Sequence, residues 1–186
     1  MRTYRATIRG LSPYSQSRHH DAECLDKEGK DAYELRTWRE RMHVNARGEV
    51  FIPPMSLKNC LAEAAKFLSV PIKGKGKATY TKHFEAGIMV LDQISLGIKA
   101  QDVPREALFV PADGVRGSGK RVTRFFGRIE NWGGEFEIMV LDETITKDVL
   151  ELHLREAGSL IGIGRFRPRN NGYYGRFAVD ALEQVS

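Results

Sequence analysis

Along the first ten residues apolar and polar positions alternate with a period of two, Tyr4, Ala6 and Ile8 against Thr3, Arg5, Thr7 and Arg9, the pattern of a half-buried strand. Residues 10–31 then lose all periodicity and collect Ser, His, Asp, Lys and Gly, so they are expected to form a flexible excursion. From Ala32 to Met42, AYELRTWRERM reads as a short helix or as one arm of a hairpin. The hairpin is preferred, with a turn at Asn45-Ala46-Arg47-Gly48 and a return arm from Glu49 to Ile52. Pro53 and Pro54 stop that arm, and Ser56 is placed to cap a helix. Leu57, Leu61, Ala64, Ala65 and Leu68 share one face of it, with Lys58, Glu63 and Lys66 elsewhere, and Pro71 ends it.

The next stretch, IKGKGKATYTK, has too little apolar surface to order itself, and 72–82 is expected to be a second flexible excursion. Strand character returns from Gly87 to Ile98, and Ala107 to Pro111 adds another apolar patch. Arg121 to Ile129 and Glu135 to Leu141 are strand-like runs joined by Glu130-Asn131-Trp132-Gly133-Gly134, whose glycine pair suits a turn. This is the clearest hairpin in the chain. Thr146 then caps a helix through Glu156, with Val149, Leu150, His153, Leu154 and Ala157 on one face and Gly158 as its left-handed stop. Gly175 to Leu182 is the last strand. With the excursions set aside, the order is strand, helix, strand, strand, helix, strand. That order predicts an α+β, ferredoxin-like (RRM-like) antiparallel sheet with two packing helices and inserted hairpins and loops, in a single domain spanning 1–186.

Composition narrows the function classes. The 186 residues, 41% hydrophobic and 28% charged, suffice for a core without metal or disulfide help. Cys24 and Cys60 have no CxxC spacing, and MRTYRATIRG contains no apolar run of a secretion signal; a cytoplasmic location follows as an expectation. No apolar run approaches the roughly 20 residues that span a bilayer, so no membrane partner is expected. The net charge of +5 favours a polyanionic partner.

Candidate chemistry concentrates in Gly158 to Phe177, GSLIGIGRFRPRNNGYYGRF. Its glycines allow close backbone approach. Arg165, Arg167, Arg169 and Arg176 supply forks that match phosphate oxygens, and Phe166, Tyr173 and Tyr174 offer faces on which unpaired bases stack. Composition alone reads the same stretch equally as a helix cap and a surface hairpin with solvated arginines. The theme recurs in GVRGSGKRVTRFFGR, with Arg116, Lys120, Arg121, Arg124 and Arg128, while Lys73, Lys75, Lys77 and Lys82 make a lysine-rich finger. RGSGKRV has the lysine of a phosphate-binding loop but an arginine where Ser or Thr is needed, which excludes an NTPase.

A helix ending in AG, then GIGRFRP, then GYYGRFAV on a strand, resembles the glycine-rich loop near the C-terminus of the RAMP superfamily, the RNA-binding proteins of CRISPR effector complexes. FIPPMSLKNCLAEAAKF, from Phe51 to Phe67, is similar to that family's IPG-S-S-L-K-G-x-L-R-x-A signature, with Pro54 and Asn59 where glycines are usual. The two stretches cover about a fifth of the chain. The resemblance implies the ferredoxin-like plan, assembly of copies along one RNA, and further subunits in one complex. RRM domains stack bases on the open face of the sheet; this sequence has little of their aromatic signature, which makes the loops the better candidates for contact.

For catalysis the candidates are His19 and His20, beside Asp21, because a histidine titrates near neutrality and can move protons in RNA cleavage. Some processing endonucleases of the RAMP superfamily carry a histidine after the first strand. His43, His83 and His153 show no metal spacing, and neither a metal nor any other cofactor is expected. The expectation is a non-catalytic subunit that binds single-stranded RNA, a guide RNA, through Lys73, Lys75, Lys77, Lys82, Arg116, Lys120, Arg121, Arg124, Arg165, Arg167, Arg169, Tyr173, Tyr174 and Arg176. The alternatives are a metal-independent endoribonuclease using His19 or His20, and a phage-type single-stranded DNA binding or structural protein.

Overall fold

The computed structural model describes residues 1–113, 115, 117 and 119–185. Its first strand, β1 (Arg2–Gly10), buries Tyr4, Ala6 and Ile8 and leaves Arg5 and Arg9 exposed, as the alternation predicts. It sits inside a four-stranded sheet with β3 (Ile88–Val90), β7 (Gly133–Val140) and β8 (Phe177–Gln184), in the order β3-β7-β1-β8 and antiparallel throughout. Numbering only these four along the chain, the strands from one edge to the other are the second, third, first and fourth, which is the ferredoxin-like plan. The two helices of the plan are α2 (Pro54–Leu68) and α4 (Lys147–Glu156), whose Leu57, Leu61, Ala64, Leu150 and Leu154 join the core with the inward residues of the sheet.

The first insertion differs from its expectation. Residues 32–42 are not a hairpin arm: they belong to α1 (Lys30–Thr37) and a turn of 3-10 helix from Trp38 to Arg41. Glu34, Thr37, Trp38 and Arg41 are the buried positions, a helical i, i+3, i+4, i+7 set hidden from a hydrophobicity reading because two members are charged. Arg41 and Glu34 form a forked ion pair at 2.7 and 2.9 Å, and each also bonds the backbone of Phe125. The return arm, β2 (Glu49–Ile52), instead pairs with β4 (Ile94–Lys99), so Gly87 to Ile98 is divided between two sheets. Ser12, Tyr14, Ser15 and Gln16 are buried within 10–31, and Tyr14 exchanges backbone hydrogen bonds with Ile129 at 2.8 and 2.9 Å.

The expected hairpin across Gly133-Gly134 is also overturned. Arg121 to Gly127 is β6, and its partner is β5 (Arg105–Pro111), in register from Arg105 opposite Gly127 to Pro111 opposite Arg121. Gly133 and Gly134 begin β7, where a side chain would drive into the Ile8 carbonyl oxygen at 2.4 Å or into Ile94 at 2.6 Å. The glycine pair serves close approach of strands and not a turn. Trp132 before it is buried, and its indole N–H donates to the Ser12 carbonyl at 2.7 Å.

Helix ends also differ in detail. The first turn of α2 starts at Pro54 with no side-chain cap, so Ser56 lies inside the helix, and Ser69, at φ 48°, is its left-handed end. Thr146 does cap α4, accepting from the Val149 N–H at 3.4 Å. Gly158 is not the stop: a π-helical turn carries the chain through Ile161, and Gly162, at φ 71°, ends it. Between α2 and α3 (Thr81–Ala86), residues 72–78 close on themselves through hydrogen bonds from Ile72 N–H to the Ala78 carbonyl and from Ala78 N–H to the Lys75 carbonyl, with Lys73, Lys75 and Lys77 exposed. Among the described residues no helix is long and apolar enough to cross a membrane.

Candidate nucleic-acid interface

The glycine-rich loop folds back on itself and onto the start of the chain. Ile163 N–H donates to the Gly175 carbonyl at 3.0 Å, Tyr174 N–H to Phe166 at 2.9 Å, and Arg165 N–H to Ser15 at 2.8 Å. At Gly164, φ is 78° and a Cβ would meet the Ser15 carbonyl oxygen at 2.4 Å. Only glycine fits there, because both the torsion and the space forbid a side chain.

The two stretches that carry the family resemblance meet at this loop. Cys60 of α2 points its sulfur at the Gly162 carbonyl, 3.3 Å away, and burial pushes its thiol up to about 12. One turn on, Glu63 receives Arg167 at 2.9 Å and Arg169 at 3.2 Å, and the Arg169 guanidinium lies 5.5 Å above the Phe67 ring. These two forks therefore hold the loop to the helix in the free protein. Tyr174 donates to both oxygens of Glu106 on β5, at 2.7 and 2.8 Å; burial first, and then this hydrogen bond, raises the phenol's pKa. Glu106 also takes Arg128 at 3.1 Å. Tyr173 is 61% exposed, and Arg176 donates to the Ser159 carbonyl at 3.2 Å.

Arg165 turns into a cleft between this loop and the β5–β6 hairpin. The cleft has a volume of about 810 Å³, and Arg41, Arg121, Arg124 and Arg165 line it beside Phe109 and Phe166. The Arg165 guanidinium carbon sits 3.7 Å over the buried Phe126 ring, and Arg41 sits 5.4 Å from the same ring. Burial lowers the pKa of Arg165 while Glu106 and Tyr174 pull it up. Arg121 donates to the Phe109 carbonyl at 2.7 Å and Arg124 to that of Ala112 at 3.2 Å. Lys120 is exposed on the same hairpin. Arg116 lies outside the described residues.

Two smaller clefts adjoin the first. One, of about 260 Å³, holds His43, Ser56, Gly164 and Arg165, and so brings the uncapped first turn of α2 against the glycine loop. The other, of about 440 Å³, holds Arg18, His19, His20, Tyr33, Arg41 and Arg124. Ser17 lines all three. His19 is 3.0 Å from Asp21 and open to water, and His20 stacks on Tyr33 at 6.3 Å.

Lys73, Lys75, Lys77 and Lys82 are not among the residues that line these clefts. They follow the C-terminal end of α2, about 20 Å along the helix from Ser56 at 1.5 Å per residue. Arg41, Phe109 and Phe126 line the site without standing out in the sequence. Arg41 carries a readable signal, its i, i+7 spacing from Glu34; the two phenylalanines carry none until β5 and β6 are known to pair.

The open face of the sheet is unlike that of an RRM. Its strands carry Arg5 paired to Glu137 at 3.0 Å, Arg9 paired to Asp180 at 3.3 Å, and Thr7 bonded to Glu135. Glu183 faces Arg5 from β8. This surface is acidic, paired and without a stacking ring. Among the described residues, no three His, Cys, Asp or Glu side chains converge as a metal site.

No family model and no curated protein matches the sequence. Solved structures do match the fold. The crystal structure of Cmr6 from Pyrococcus furiosus is 8% identical over 95% of this chain and 97% of that one, with a TM-score of 0.50. A chain of the Type III-B Cmr-beta bound to cognate target RNA is 11% identical, with a TM-score of 0.51, over 100% of this chain and 61% of that one. At such identities the likeness is one of architecture, and the chain has a mixed α/β, antiparallel, ferredoxin-like fold.

Proposed function

We propose that the protein is a non-catalytic subunit of a CRISPR-type ribonucleoprotein that holds single-stranded guide RNA across the three joined clefts. The observation that carries this reading is the convergence of α2's uncapped first turn, the glycine-rich loop and four arginines on adjoining clefts that share Ser17 and Arg165. The positive end of the α2 dipole favours phosphate oxygens. Exposed Arg121 and half-exposed Arg124 neutralise phosphates, and Phe166, half exposed at the rim, offers a base a stacking face. The acidic open face repels RNA, so the strand runs along the loop side of this single folded unit. Other subunits, including further copies of this chain, continue the RNA path, and the complex works in the cytoplasm. The fold it shares with Cmr6 and with a chain of an RNA-bound Cmr complex supports this placement.

The test is fluorescence anisotropy with labelled single-stranded RNA at several salt concentrations. Arg121→Ala with Arg124→Ala weakens binding and reduces the magnitude of the log K against log salt slope by about 0.7 for each phosphate no longer neutralised. An unchanged slope and affinity, or equal affinity for DNA and RNA of one sequence, sinks the reading. A second reading is endoribonuclease activity in the cleft where His20 lies beside Arg18, Arg41 and Arg124. Metal-independent cleavage that disappears in the His19→Ala, His20→Ala protein would favour it, since general acid-base groups contribute about 10² to 10⁴ in rate.

A further inference from the structure

Within the 810 Å³ cleft, the electrostatic reading leaves one group unused. Arg165 Nε and Nη2 are closed to water and have no hydrogen-bond partner among the described residues. They carry the two parallel N–H groups of one guanidinium edge, the edge that takes a pair of acceptors at once. Leaving such donors desolvated and unpaired is costly. The rest of the residue is pinned by its backbone bond to Ser15 and by its contact with Phe126. The edge is fixed in place, and no described residue meets it with a hydrogen bond.

The next residue supplies a way in. Phe166 is held at φ 59°, its ring is 5.3 Å from the Arg165 guanidinium carbon, and it is 50% exposed. A bulky aromatic in the left-handed region is strained, and its movement opens the covered edge to a ligand.

The surroundings decide what the ligand is. Arg121 stands exposed at the cleft's mouth, where a hydrated phosphate can bind and keep its remaining oxygens in water. Arg165 lies deeper, among Leu108, Phe126 and Phe166, where a flat ring loses little solvation and a phosphate loses much. Guanine offers adjacent acceptors, O6 and N7, for one arginine edge; adenine places a donor beside N7. Uracil sets a donor next to each of its carbonyls, and cytosine, though its N3 and O2 are adjacent acceptors, brings only a single ring to pack against the Phe166 side. We propose that this cleft holds one unpaired guanine, read by the Nε/Nη2 edge of Arg165 through O6 and N7, with the base packed against the Phe166 side. The inference rests on the RNA-binding reading above and adds base specificity to it.

The experiment compares fluorescein-labelled RNA nonamers of uridine whose central position is U, A, C, G or 7-deazaguanine, in one buffer, by anisotropy. The central G tightens binding by about tenfold over U and A. 7-Deazaguanine, which has C–H in place of N7, loses most of that gain. Arg165→Lys keeps the charge without the fork, so it no longer prefers G over U, whatever change it makes to binding of both nonamers. Equal affinity for G and 7-deazaguanine, a preference for C, or a G preference that survives Arg165→Lys overturns the inference. Tight and equal binding of every nonamer removes this inference alone; binding of none removes it together with the RNA-binding reading. Should Arg165→Lys fail to fold, the 7-deazaguanine comparison on the native chain decides the question.

Discussion

His153 has no exposed surface; its ring lies 4.4 Å from that of Phe84 and 5.8 Å from that of Tyr80. Its Nδ1–H donates to the Val149 carbonyl at 2.7 Å, and Nε2 has no partner. Burial lowers its pKa, only partly opposed by that hydrogen bond, and burial lowers the pKa of His43 as well. The unfolded chain takes up these protons near pH 6.5 and the folded chain does so only at lower pH. The unfolded state therefore binds more protons in that window, and stability falls as pH drops below about 6.5. Urea unfolding between pH 7.5 and 5.5 should show the loss, at most about 1.4 kcal/mol per pH unit for each histidine, and His153→Phe should flatten the profile. An identical slope in the variant removes His153 from the account. Gly164 makes a second prediction at this scale. Ala there adds a left-handed torsion, about 1–2 kcal/mol, to an overlap with the Ser15 carbonyl of the kind that costs about 1–3 kcal/mol. Gly164→Ala should thus lower stability by more than about 2 kcal/mol in the same assay.

Among the elements, the glycine-rich loop depends on its anchor on α2. Glu63 is the shared partner of Arg167 and Arg169, so Glu63→Ala should free both guanidinium groups. Trypsin, which does not cleave the Arg167–Pro168 bond, should then cut after Arg169 sooner, while the unfolding midpoint shifts little because partly exposed ion pairs are worth about 0–1 kcal/mol. Unchanged cutting would mean that the backbone bonds to Ser15 and Gly175 hold the loop unaided. The same elements mark what can be read from the sequence. Period-two and period-3.6 apolar patterns locate β1, α2 and α4, since each buries one face against the same core. Such patterns miss α1 and the 3-10 turn after it because their shared buried face carries a glutamate and an arginine that satisfy each other. Gly133-Gly134 misleads because strand packing and turns ask the same of glycine. At the site, the arginines of the loop are visible by type, but only tertiary contacts separate Arg167 and Arg169, held by Glu63, from Arg165, packed on Phe126 in the wall of the cleft.

For the molecule as a whole, charge is divided: paired and acidic on the open sheet face, basic around the three clefts. A second basic region, at Lys73, Lys75 and Lys77, stands beyond the far end of α2 on a loop of seven residues closed by backbone bonds. We expect these lysines to extend the RNA path beyond the clefts, and trypsin protection by saturating RNA tests that. Equal cutting at these lysines with and without RNA would leave them as a solvated turn.

The placement of β1 between β7 and β8 has a consequence for synthesis. Tyr4, Ala6 and Ile8 find no strand partner until residues 133–140 and 177–184 exist, so this strand is made well before either of its neighbours. At about 5–20 residues per second it waits roughly 7 to 25 s with an unpaired apolar edge. Pairing across more than 120 residues is slow as well as late. A chain stalled before β7 should therefore capture a holding chaperone through residues 2–10, whereas a stalled chain carrying Tyr4→Ser and Ile8→Ser should not.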